Sequence, residues 1–190
     1  MEYSPEKFLN AILFFAHNVS KLGITKLNKL LYYSDFEHYR LYGRPILGDQ
    51  YIRMERGPVP QASYAVFNAN FEDSEDSSLK EAIEVRGENF FSRQFNNAYE
   101  RKSIIPKREA DLSYFSKSEI ETMEKVAKNW IDATAHSMSE QSHREKPWKE
   151  TKHQQVIDYK LILSGGDSIS KEYAEYREES DRALEGVLHG

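Results

Sequence analysis

The chain has 190 residues, with 26 Lys and Arg against 31 Asp and Glu and a formal net charge of −5. This length fits one domain with a core of its own. There is no cysteine, which excludes disulfides and thiolate metal sites. The negative balance argues against nucleic acid as a partner, because DNA affinity depends on clustered Lys and Arg.

The first residues lack the features of an export or membrane signal. Glu2 and Glu6 are wrong for a signal peptide, and the apolar run at 11–16 is far shorter than the ~20 residues of a membrane span. We therefore expect a soluble, cytoplasmic protein with no membrane partner.

The N-terminal third predicts two amphipathic helices. Ser4 and Pro5 are typical of an N-cap and a first helical position, and apolar residues then recur at helical spacing. Thr25 is predicted to cap a second helix with a leucine-rich stripe. Gly43 would end that helix in a left-handed conformation, and Pro45 cannot continue it.

The segment that follows predicts a strand and a stiff corner. Residues 51–55 alternate at period two, which favours a strand. A turn is expected at Gly57 and Pro58, with Pro60 at the start of a third helix. The corner has two compatible interpretations: a rigid strand-to-helix connection, or a preordered platform for a partner.

The later segments complete a mainly α (α+β) fold, expected as a single compact helical domain with a small antiparallel β-hairpin or sheet. An acidic loop is expected at 72–78. We predict a short helix at 79–85, short strands at 90–91 and 101–105 around Asn96, a helix opened by a capping box at Ser116–Glu119, a shorter helix at 134–143 and a charged helix at 169–188.

The sequence offers no recognisable catalytic or metal-binding motif. The P-loop, GxGxxG, GxSxG and HExxH patterns are absent. Ser142 or Ser139 could be combined with His143 and Asp35 as a triad, but their spacing does not support one. His136 and His143 lie too far apart to bind one metal unaided. We predict a non-enzyme with no cofactor and no metal, and interpret His143 as a buried histidine fixed by backbone hydrogen bonds.

Asp35 falls in the middle of a helix that otherwise buries leucines. A buried carboxylate needs a partner, because an unpaired buried charge costs several kcal/mol. Arg53 or Arg56 from the next strand is the candidate partner; a half-exposed surface aspartate is the alternative, and the sequence leaves both open.

Tyrosines and arginines are interleaved between residues 32 and 56, a composition typical of protein interfaces. Nucleic-acid surfaces and packed cores use the same residues, and composition does not separate the three. The predicted partner contacts are Tyr39, Arg40, Arg44, Tyr51, Arg53, Arg56 and Pro58.

Seven short motifs follow one another along this chain. They are KLLY at 29–32, DFEH at 35–38, GRPI at 43–46, GDQY at 48–51, GPVP at 57–60, SH at 142–143 and PW at 147–148. As a set they resemble the Panacea antitoxin domain, the SocA-like, phage-associated protein family, over residues 5–163. Residues interpreted as structural parts of this pattern are Asp35, Gly57, Pro60, His143, Pro147 and Trp148.

The resemblance implies an antitoxin of a type II-like toxin–antitoxin system. Its partner would be a cognate protein toxin encoded in the adjacent gene, neutralised by direct binding and occlusion. The implied organisation is a domain at 1–163 and a charged, helical C-terminal segment at 164–190, whose role is open, as is homo-oligomerisation. Alternatives are an adaptor that delivers a partner to a protease, and a DNA-binding autorepressor that uses residues 24–42 as a helix-turn-helix.

Overall fold

The computed structural model describes residues 3–68, 71, 76–92, 97–164 and 167–188. Its helices are α1 (Pro5–Asn18), α2 (Ile24–Tyr42), α3 (Gln61–Asn68), α4 (Ser77–Ala82), α5 (Lys117–Trp130), α6 (Ala135–Arg144), α7 (Lys146–Glu150) and α8 (Lys171–Leu188). Its strands are β1 (Tyr51–Met54), β2 (Gly57–Pro60), β3 (Ile83–Ser92) and β4 (Asn97–Pro106). Short 3-10 helices lie at Leu112–Tyr114 and Tyr159–Ser164. The predicted mainly α fold with a small antiparallel β element is confirmed.

Helix α2 is the central element of the core. It packs against α5, α6, β2 and the 3-10 helix at Tyr159–Ser164. Its fully buried residues include Leu27, Leu30, Leu31 and Tyr32. Burial on several sides argues against the use of this helix as an exposed DNA-recognition helix, which must enter a groove of the duplex.

The first two helices begin and end largely where local signals place them. The Ser4 hydroxyl accepts a 3.2 Å hydrogen bond from the Lys7 amide, which confirms the predicted N-cap. Helix α2 begins at Ile24 with Gly23 as N-cap, so the predicted Thr25 cap is wrong; extended Gly23 also bridges to β4. Gly43 ends α2 with φ 73°, as predicted.

The β1–β2 hairpin corrects the expected turn. Glu55 and Arg56 form the connection, and Gly57–Pro60 is itself a strand in register from Tyr51↔Pro60 to Met54↔Gly57. The other side of β1 is occupied by residues 154–157, with the Arg53 amide donating to the Gln155 carbonyl at 2.9 Å. The second strand can therefore hold two prolines, because prolines are tolerated at a sheet edge.

The β3–β4 hairpin is longer than expected. Helix α4 ends at Ala82, and strand β3 begins at Ile83, so the predicted helix at 79–85 stops early. The predicted short strands at 90–91 and 101–105 are parts of two ten-residue strands paired from Ile83↔Pro106 to Ser92↔Asn97. Asn96 of the predicted turn lies outside the described residues, as do residues 72–75 of the predicted acidic loop.

The C-terminal helix packs on the end of α2. Tyr39, Leu163 and Ala174 form a small cluster of their own, and the Tyr39 hydroxyl donates to Glu178 at 2.7 Å. The capping box at Ser116 and Glu119 is confirmed. In the part of the chain that the structure describes, no helix is long and apolar enough to cross a bilayer.

Candidate functional site

Three motifs meet at Gly57, the first residue of β2. Gly57 has φ 96°, and a Cβ there would lie 2.6 Å from Lys29 Cε and 2.6 Å from Ser142 Oγ. Glycine is thus required both by the backbone conformation and by the space. Lys29 is 1% exposed, and its Nζ donates to the Pro58 carbonyl at 2.7 Å. Burial lowers the pKa of Lys29 to about 7.

Helix α6 holds the hairpin connection in place through its serines. The Ser139 hydroxyl donates to the Arg56 carbonyl at 2.9 Å. The buried Ser142 hydroxyl donates to the Ser139 carbonyl at 2.8 Å and lies against Gly57. Segments more than 80 residues apart are therefore fixed to each other by backbone-directed hydrogen bonds.

An aromatic stack continues this cluster to the surface. His143 stacks on Trp148 with ring centroids 4.1 Å apart, and the Arg53 guanidinium lies 3.8 Å from the centroid on the indole. Arg53 Nε donates to the Trp148 carbonyl at 3.0 Å, and Trp148 Nε1 donates to the Met54 carbonyl at 3.2 Å. Arg53, His143 and Trp148 are each half-buried.

The environment of His143 corrects the interpretation made from sequence. The ring is half-buried, and stacking holds it; its Nε2 has no hydrogen-bond partner in the described parts of the chain. Burial and the nearby Lys29 and Arg53 charges lower the pKa of His143, so the neutral imidazole is favoured.

Comparison with known proteins identifies the family of the region that contains this cluster. The family described as "Antitoxin SocA-like, Panacea domain" matches residues 27–149, which is well over half of the chain. The chain belongs to this family. No curated protein and no solved structure matches it. Helix α1, the 3-10 helix at Tyr159–Ser164 and α8 lie outside the matched residues, although the resemblance was expected over 5–163.

Membership of an antitoxin family indicates the general role of this chain. It gives this Panacea domain a role related to toxin–antitoxin systems and implies a toxin as partner in general terms. Families of this kind are generally not enzymes. Two motif prolines are part of the packed interior. Pro60 is buried opposite Tyr51, and Pro147 is buried in the first turn of α7.

The partner predicted for Asp35 of the Panacea domain is wrong. Neither Arg53 nor Arg56 contacts this fully buried carboxylate. One of its oxygens accepts from the Ile46 and Leu47 amides at 2.9 and 2.8 Å. The other accepts hydroxyl hydrogen bonds, from Tyr51 at 3.0 Å and Tyr159 at 3.1 Å. Asp35 thus fixes the chain after α2 through four neutral donors.

The same environment sets the protonation of Asp35. Complete burial raises the pKa of its carboxyl, and the four hydrogen bonds lower it. The effect of burial is the larger one, and the pKa is about 7. The side chain therefore changes charge near neutral pH, inside the core of the Panacea domain.

Glu145 is a half-buried carboxyl that sequence reasoning missed. It lies between the SH and PW motifs and accepts a 2.8 Å hydrogen bond from the Tyr32 hydroxyl of α2. Burial raises the pKa of Glu145 to about 7. A glutamate between two motif pairs was the available signal, but its burial depends on how α6 and α7 pack against α2.

The predicted partner residues divide into buried and accessible ones. Tyr51 is 0% exposed, Tyr39 is 2% exposed beneath α8, and Pro58 is buried. These three support the fold and present little surface to a partner. Of the four arginines, Arg56 is exposed, while Arg40, Arg44 and Arg53 are half-buried and partly accessible.

The groups considered for catalysis are engaged separately. Ser142 donates to a carbonyl of its own helix, Asp35 is enclosed by its four donors, and His143 stacks on Trp148. Within the described ranges no group of three or more His, Asp or Glu side chains could hold a metal ion. These side chains make packing and hydrogen-bond contacts within the fold.

Proposed function

We propose that this chain is an antitoxin that neutralises a cognate protein toxin, encoded in the adjacent gene, by direct binding. Binding occludes the active site or substrate path of the toxin, and the antitoxin acts in the cytoplasm without a cofactor or catalysis of its own. The observation that carries the proposal is the family match over residues 27–149.

The way in which the motif residues are used supports this proposal. Lys29, Asp35, Gly57 and Ser142 are buried and fix helices to the hairpin. A stable scaffold with a variable surface suits a protein that must occlude one particular partner, since a standard interface needs only about 800 Å² from each protein.

Arginines supply the accessible chemistry of this surface. Arg53 and Arg56 flank the hairpin connection, while Arg40 and Arg44 lie at the C-terminal end of α2. Arginine is enriched at the energetic centres of interfaces, because its planar guanidinium binds carboxylates with two hydrogen bonds. We propose these four side chains as partner contacts.

Growth rescue tests the proposed function. Each open reading frame that flanks the gene is expressed alone from an inducible promoter, and then together with this chain. We expect one neighbour to arrest growth alone and to become harmless when the chain is present. Neighbours that are harmless alone, or an arrest that the chain does not relieve, would contradict the proposal.

The same assay separates occlusion from delivery to a protease. Occlusion predicts that rescue persists in cells that lack their cytosolic ATP-dependent proteases, with the toxin still present at its usual level. Rescue that requires a protease, together with loss of the toxin protein, would establish the adaptor hypothesis instead.

A further inference from the structure

An open groove of about 670 Å³ lies between the C-terminal end of α2, the segment that leads into α5, and α8. Three tyrosines line it, one from each of these elements: Tyr42, Tyr114 and Tyr173, which are 39%, 46% and 48% exposed. These rings are neither in the core nor covered by another part of the described chain. Exposed tyrosines grouped around a concavity are typical of protein-binding surfaces.

The charged lining of this groove is predominantly cationic. Lys7, Arg44 and Arg177 line it, with Glu119 as the carboxylate among the lining residues. Glu119 is already engaged, because it accepts from Lys7 Nζ at 2.6 Å and from the Ser116 amide at 2.7 Å. Lys7 and Glu119 neutralise each other, and Arg44 pairs with Asp181. Among the described lining residues, the charge left without an ion-pair partner is that of Arg177, so the groove favours an anion.

The two arginines have unused hydrogen-bond donors. Arg44 donates from one terminal nitrogen to Asp181 at 3.1 Å, but its Nε is covered by protein atoms and has no partner. The Nε of Arg177 is likewise covered and unpaired, and no ion pair to this side chain exists among the described residues. Unpaired, covered donors cost free energy, which a bound carboxylate would recover as the side chains adjust.

We propose that this groove binds an acidic segment of the partner protein. Asp or Glu carboxylates of that segment pair with Arg44 and Arg177, and its neighbouring side chains pack on the three tyrosines. This assignment rests on the proposed function and specifies where and by which chemistry the toxin is held.

Helix α8 completes the groove, since it supplies Tyr173 and Arg177. It also lies outside the residues 27–149 that match the family. The family scaffold thus provides one wall and this chain's own C-terminal helix the other, which gives α8 a role in the choice of partner. The net charge of −5 disfavours nucleic acid, whose binding relies on many phosphate contacts.

A peptide titration tests the groove without knowledge of the toxin. The full-length protein is titrated with acetyl-Gly-Glu-Leu-Glu-Gly-amide, and the Nε–H NMR signals of Arg44 and Arg177 are followed. We expect these signals to shift with the Glu peptide and to stay in place with the matched Gln peptide. No shift, or equal shifts with both peptides, would overturn the proposal. Shifts with the oligonucleotide dT10 alone would assign the groove to nucleic acid.

Matched arginine variants locate the binding. Arg177→Gln keeps the Cβ and Cγ atoms that pack near Gly43, and should weaken binding of the Glu peptide about tenfold. Arg182→Gln, on the same helix with a 69% exposed side chain, should leave the affinity within about twofold. Equal effects of the two substitutions would contradict a specific site.

A second experiment measures binding of the toxin that growth rescue identifies. The double variant Tyr173→Ala, Arg177→Gln should bind that toxin at least about tenfold more weakly, with an unchanged melting temperature. If the chain rescues growth and the double variant binds as well as the wild type, the groove assignment is wrong and the proposed function stands. If the chain relieves no growth arrest by a neighbouring gene product, the proposed function fails. The peptide titration alone then shows whether the groove binds acidic peptides.

Discussion

Lys29 Nζ lies 2.7 Å from the Pro58 carbonyl oxygen, and this hydrogen bond ties the central helix α2 to the edge strand β2. The side chain is almost completely buried. Because water is excluded, the charged form is disfavoured, and the pKa of Lys29 falls from 10.5 to about 7. A charge-bearing motif residue is thus used as a structural tether.

The lowered pKa of Lys29 predicts a pH-dependent stability. Between about pH 7 and 9.5 the unfolded chain binds more protons at this lysine than the folded chain. The free energy of unfolding should therefore rise with pH across this window, by roughly 1–3 kcal/mol from this group. Lys29→Met should remove that rise, as measured by urea unfolding, while Lys117→Met at a 92% exposed side chain should retain it. Parallel pH profiles of the Lys29→Met variant and the wild type would contradict the assignment.

Gly57→Ala should be strongly destabilising. The new methyl group would lie 2.6 Å from both Lys29 Cε and Ser142 Oγ, on a backbone with φ 96°. We expect a loss of roughly 2–4 kcal/mol, from backbone strain and overpacking together. The measurement is the urea midpoint, with Gly87→Ala at an exposed position of β3 as control. A loss no larger than that of the control would mean that the corner tolerates a side chain.

Asp35→Asn tests the buried carboxylate. An amide cannot accept from all four donors, so at pH 7 we expect a loss of roughly 1–3 kcal/mol. The raised pKa of Asp35 also sets the direction in which the stability changes with pH. Below about pH 7 the folded chain holds a proton that the unfolded chain has released, so wild-type stability from this group falls as pH rises from 4 to 7. The deficit of the variant should therefore be larger at pH 5 than at pH 7. Asp167→Asn, at an exposed aspartate, should show neither effect.

The stack of His143 on Trp148 predicts a fluorescence transition. A protonated imidazole in contact with an indole quenches its emission, and the rings are 4.1 Å apart. As the pH is lowered, protonation of His143 should reduce the Trp148 emission. Because the pKa of His143 is lowered, the midpoint of this transition should lie below pH 6.5. The experiment uses a Trp130→Phe background, so that Trp148 is the sole indole. If His143→Gln in that background leaves the transition intact, another group is responsible.

Local signals in the sequence predict much of the fold. The Ser4 cap, the left-handed Gly43 and the Ser116–Glu119 capping box depend on neighbours within a few residues, and all three are found. The strand formed by Gly57–Pro60 was not foreseen, because its pairing with β1 and its edge position are set by the tertiary structure. Two prolines within four residues indicate a corner when only the local sequence is considered.

The site was harder to predict than the fold. The sequence left Asp35 either buried with Arg53 or Arg56 as its partner or half-exposed at the surface, since charge complementarity is visible in a sequence and backbone amides are not. The actual donors include Tyr159, which lies 124 residues away. The packing of Arg53 on Trp148 is likewise a long-range contact that only the closed fold brings about.

Action by binding and occlusion can be measured by titrating the purified neighbouring toxin with this chain. We expect toxin activity to fall linearly and to reach its minimum at one equivalent of the chain, as a stable complex forms. A toxin that stays fully active at a large excess of the chain would contradict it.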